Sequence, residues 1–173
     1  MSPETHPCAA DPHYGSHDKA HACVSSFAAQ VDAILKDAEA AAGGEAFDME
    51  TDGVVAAKVA DVLAPLLATP DLLCEDLRAS STEKYRKHVL YADPAGRFTL
   101  LALIWLPGQE TVIHAHTAWG AVGVYEGTPQ VTCYDCEERD GRHVVTQTKD
   151  MRCAPGDMAL NLTGPIAGLF GQI

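Results

Sequence analysis

His114 and His116 stand two positions apart, and on an extended chain residues at that spacing present their side chains to one face. Two imidazoles placed in this way can reach a single ion. Neutral imidazole suits iron, zinc, copper or nickel, and the spacing does not choose among them. The same pattern is also an ordinary polar surface, so the decision falls to the flanking residues, Pro107-Gly108-Gln109-Glu110-Thr111-Val112-Ile113 before the pair and Thr117-Ala118-Trp119-Gly120 after it.

Two other groups of residues invite a chemical reading. Cys133-Tyr134-Asp135-Cys136 is a Cys-x-x-Cys without a second pair, so a structural role is preferred to zinc or redox work. Cys8, His13, His17, His21 and Cys23 could bind zinc but lack a tight paired spacing.

The elements that must position the histidines can be read on either side of them. Residues 1–24 mix Pro, His, Gly and Ser without periodicity and are expected to be a disordered or loose leader. Residues 25–173 are expected to form a single domain, with helices in 25–80 and a barrel in 81–173. Phe27, Val31, Ile34, Leu35 and Ala38 recur at helical spacing until Gly43 and Gly44 stop the pattern. Beginning near Asp52, a second apolar stripe carries Val55, Val59, Val62, Leu63 and Leu66, with Pro65 bending or ending it.

After Ser81 the period shortens, and β-branched and aromatic residues alternate with turn signals. Strands are expected at Tyr85–Tyr91, Arg97–Leu106, Thr111–His116, Gly120–Tyr125, Gln130–Glu137, His143–Met151 and Met158–Leu162. The turns between them include Asp93-Pro94-Ala95-Gly96, Arg139-Asp140-Gly141 and Pro155-Gly156-Asp157.

Composition excludes whole classes of partner. Twelve Lys+Arg against 24 Asp+Glu give a formal charge of −12, which removes the electrostatic drive for nucleic-acid binding. The longest apolar runs, such as Phe98 to Leu106, are about half the roughly 20 residues that cross a bilayer, and no secretory pattern follows Met1. A cytoplasmic protein with its six cysteines reduced is expected.

Gly108, five residues, His114-Ala115-His116 and a closing Gly127 together resemble the first cupin motif. The cupin glutamate is absent from its usual place, where Gly120 and Ala121 stand, and Glu126 lies too far along the chain to serve. Tyr85-Arg86-Lys87-His88-Val89-Leu90-Tyr91, Phe98 to Trp105 and the His-x-His-Thr-x-Trp-Gly signature then resemble the cysteine dioxygenase-like thiol dioxygenases. The likeness covers Phe27 to Leu162, with its specific motifs confined to Tyr85 to Gly127.

The resemblance implies a mainly β cupin, a double-stranded β-helix or jelly-roll barrel preceded by two α-helices. It implies Fe(II) held by neutral histidines, here His114 and His116, and oxidation of a small thiol by O2 to its sulfinic acid. Lys87, two positions after Tyr85, is the residue implied for the substrate carboxylate. Arg86 is the second candidate, because neighbouring residues face opposite sides of a strand. Gly120 and Ala121 replace the cysteine that animal-type relatives cross-link, so the chain looks more like bacterial cysteine or 3-mercaptopropionate dioxygenases. Ala115 replaces a frequent aspartate.

Relatives carry a third histidine after a Pro-Gly-Asp turn. Pro155-Gly156-Asp157 is present, but Phe170 or Gly171 falls where that ligand is expected. The C-terminal strands are therefore expected to be missing, as in a truncated or frame-altered chain. His88 and His143 are the possible substitutes. A non-catalytic cupin that binds a small ligand or partner, and a zinc or nickel cupin with other chemistry, remain as alternatives.

Overall fold

The computed structural model describes residues 17–43, 49–114, 116 and 118–161. Helix α1 spans His17–Ala42, α2 Met49–Leu67 and α3 Glu75–Arg78. The strands are β1 Arg86–Ala92, β2 Thr99–Ile104, β3 Gly120–Gly123, β4 Gln130–Arg139, β5 Arg142–Arg152 and β6 Met158–Asn161. Helix and strand occur in similar amounts. The strands form three separate two-stranded antiparallel sheets, β1–β2, β3–β6 and β4–β5, and no closed barrel exists among the described residues.

Both helical stripes are where their spacing puts them. Phe27, Val31 and Leu35 of α1 and Val55, Val59, Leu63 and Leu66 of α2 are buried in one cluster, joined by Leu72, Leu73 and Ala102. Gly43, with φ of 64°, takes the left-handed turn that ends α1. Pro65 lies inside α2, two residues before its end. The helix α1 begins earlier than expected, at His17, so residues 17–24 belong to it rather than to a loose leader. The remainder of that leader, and the proposed positions of the missing ligand at 170 and 171, lie outside the described residues.

β1 and β2 pair Arg86 with Ile104, His88 with Ala102 and Val89 with Leu101. Ala102, Leu90, Leu100 and Ile104 pack on the helices, while Val89, Leu101 and Leu103 face outward and are exposed. The hairpin is fastened by one arginine. Arg97 meets Asp93 through Nε at 2.9 Å, Asp32 of α1 through Nη2 at 2.5 Å, and Glu39 at 3.9 Å. Asp93 is otherwise a buried acid, 8% exposed, and a buried carboxylate without such a partner is strongly unfavourable.

β4 and β5 meet at Asp140 and Gly141, both with positive φ, as a two-residue primed turn requires. The hairpin runs outward into solvent, with nearly every residue of β5 exposed. Its base is enclosed in sequence by β3 and β6, which pair Gly120 with Asn161 and Gly123 with Met158. β3 and β6 also pack on α2. Gly123 presses so closely on the Leu67 side chain that any Cβ there would displace it.

The expected strand at Thr111–His116 does not form: its described residues pair in no ladder. Val112 is 81% exposed and Ile113 43%, and the His114 ring takes the Val112 carbonyl that a neighbouring strand would need. Without that strand the sheets remain as pairs, and the barrel expected from the sequence is not closed among the described residues.

Arg97 holds the Asp93 carboxyl down to about 2, chiefly through its side-chain hydrogen bonds and against the opposing effect of burial. A carboxyl lowered by folding stabilises the fold above its ordinary range, and that stability is lost between about pH 4 and pH 2. Arg97→Met should lower the thermal midpoint at neutral pH by roughly 3–8 °C and flatten the acid limb of stability. Thermal melts across that pH range check both effects.

Candidate metal centre

The two histidines are carried on a segment anchored at its ends, whose described residues between those anchors join no strand ladder. At the N-terminal end, Leu106 and Gln109 close a turn (Gln109 N to Leu106 O, 3.0 Å) in which Gly108 has φ of 83°. The Gln109 side chain accepts from Leu106 N at 2.8 Å and donates to Ser81 O at 2.7 Å. At the C-terminal end, Trp119 packs against the core cluster and Gly120 enters the β3–β6 ladder. Beyond β3, the Tyr125 hydroxyl accepts from Leu72 N and donates to Thr69 O. Arg78 binds Glu126 at 2.6 Å, so the sequence's nearest downstream carboxylate is occupied in an ion pair.

His114 and His116 come together, with ring centroids 4.9 Å apart and planes inclined at 54°. His114 Nδ1 lies 2.8 Å from Val112 O. A carbonyl can only accept, so Nδ1 carries the proton in this contact, and in the neutral ring the lone pair is then on Nε2. His116 Nε2 is buried and makes no hydrogen bond among the described residues, an arrangement that demands an explanation in a folded protein. Burial, and then the neighbouring His114, push the His116 pKa below the ordinary histidine value, so this ring is held neutral, the form that binds metal.

The spacing of the two rings can be compared with that of two imidazoles on one ion. With a metal–nitrogen distance of about 2.1 Å, two imidazoles bound at 90–110° would have centroids roughly 4.5–5.2 Å apart. The observed spacing falls within that interval. Among the described residues, no group of three or more His, Cys, Asp or Glu side chains is arranged to hold a metal.

The other candidates lie elsewhere. His88 is on the helix-facing side of β1 with its Nε2 buried. His143 sits near the β4–β5 tip, its Nδ1 3.8 Å from Cys136 Sγ. Strand alternation sends Cys133 and Cys136 to opposite faces of β4. Arg86 and Lys87 are both exposed. Lys87 shares the outward face with Val89, and its Nζ lies 5.4 Å from the Tyr85 ring, which stacks on Trp105. Arg86 shares the face of His88 and Ala102, so the two cations lie on opposite faces of β1.

An open groove of about 410 Å³ runs between residues 110–113 and Gln130, Thr132 and Tyr134 of β4, just before His114 in the chain. Sequence reasoning did not find Gln109. A glutamine after a Pro-Gly turn signals a local bond back to the turn, but its Ser81 partner is visible only in three dimensions. No helix among the described residues is long and apolar enough to cross a membrane. No known family model matches the chain.

His116 should titrate below an ordinary histidine. In His114→Ala its midpoint should rise only part of the way back, because burial remains. Ring-proton NMR titration reads this directly, and an unchanged midpoint would mean that the rings do not sense one another.

Proposed function

We propose that this chain is a cytoplasmic non-haem iron thiol dioxygenase of cupin type, oxidising cysteine or 3-mercaptopropionate with O2 to the sulfinic acid. The observation that carries the reading is the close histidine pair, with an open Nε2 on His114 and a buried, unbonded Nε2 on His116. The cupin likeness of residues 85–127 supports it. So does the pairing order, in which β3 and β6 enclose the β4–β5 hairpin as strands of a jelly roll do.

His114 and His116 would hold the ion, and the Val112 carbonyl fixes the ring orientation and tautomer of His114. When bound, ferrous iron supplies Lewis acidity toward a thiolate and the redox capacity to add both atoms of O2 to sulfur. The groove beside Ile113 gives a small thiol room to approach. Arg86 and Lys87 are the proposed carboxylate partners. Lys87 is the first of these by its place two residues after Tyr85, and Arg86, on the opposite face of β1, is the second, with the better bidentate geometry.

A second reading is a non-catalytic cupin that binds a small ligand, and the two-histidine donor set favours it. Anaerobic iron titration followed by oxygen uptake with each thiol separates the two. The enzyme reading expects near-unit iron binding, lost in His114→Ala and His116→Ala, and O2 consumption with one or both thiols. It also expects the apparent KM to rise at least tenfold in Arg86→Ala or Lys87→Ala. Tight thiol binding without oxygen uptake establishes the second reading instead.

A further inference from the structure

We propose that Gln109 is the positioning residue of the histidine pair, an inference that rests on the metal reading above. Residues 110–114 have no ladder to hold them, and Val112 and Ile113 are turned toward solvent. On the N-terminal side of the pair, where no ladder reaches, something outside regular secondary structure must therefore set where the segment sits. The Gln109 amide meets both requirements: its oxygen accepts from Leu106 N at 2.8 Å, and its nitrogen donates to Ser81 O at 2.7 Å.

The first bond is local and closes the turn. The second crosses to the residues leading into β1 and ties the segment to the rest of the fold. Both are partly buried, where a hydrogen bond is stronger than in water and a lost partner costs more. A primary amide is needed for this geometry, because it presents an acceptor and a donor on one planar group. Glutamate offers two acceptors and would set one against the Ser81 carbonyl. Leucine offers neither.

The test compares the wild-type chain with Gln109→Leu and Gln109→Glu by two readouts. The first, without metal, is the rate at which diethyl pyrocarbonate modifies His116, measured by peptide mass. Buried Nε2 should react slowly in the wild type and at least several-fold faster in both variants. The second is Co(II) affinity, followed by the d–d absorption of the bound ion. Both variants should bind at least tenfold more weakly, the usual scale for losing a group that orients a metal ligand.

Unchanged His116 reactivity in both variants overturns the proposal whatever the metal result. So does a Gln109→Glu chain that matches the wild type in both readouts, because the Ser81 tie would then be dispensable. Faster reactivity with wild-type cobalt affinity also overturns it. If the variants react faster but the wild type itself shows no His114-dependent cobalt binding, the metal reading fails while the placement of the pair by Gln109 stands.

Discussion

The pairing of Asp93 with Arg97 is the interaction on which the arrangement of this protein depends. Asp93 sits at the β1–β2 turn with its side chain almost wholly enclosed, and an acid so placed persists in charged form only beside a compensating cation. Arg97 supplies that cation and reaches on to Asp32 and Glu39 of α1. One guanidinium therefore fixes the turn of a hairpin and the rotation of a helix together. Ala102 and its neighbours are thereby brought into one cluster with Phe27, Val31 and Leu35.

The candidate metal centre lies outside this well-packed region. Its histidines occupy a segment between the Gln109 bonds and the start of β3, and neither end is held by the main core alone. The pair is thus defined by side-chain hydrogen bonds and local ring placement rather than by a sheet. A site on a sheet inherits its precision from the ladder, whereas a site of this kind has only as much as its few anchoring contacts supply.

What could be read from the sequence followed the range of the physics involved. The two helical stripes, the Asp140-Gly141 turn and six of the seven expected strands needed only local periodicity and turn chemistry, and these appear within a few residues of their expected bounds. The proximity of His114 and His116 was also legible, because it is a two-residue relation. The ladder expected at Thr111–His116 was not, since strand formation needs a partner that local pattern does not specify. Which face of β1 meets the helices is likewise a matter of register, set by the pairing of His88 with the buried Ala102. The bonds from Gln109 to Ser81 and from Arg97 to Asp32 join residues far apart in the chain, and no local signal announces them.

The β4–β5 hairpin has a kinetic meaning beyond its shape. Its contacts are local and its primed turn is preorganised, so it can close early in folding. Once it has closed, the chain separating β3 from β6 is no longer a long flexible loop but a short path across the base of the hairpin, and the entropy of bringing Gly120 to Asn161 falls accordingly. An arm that contributes little to the interior thereby serves as a splint, shortening the search that completes the sheet next to the histidine segment.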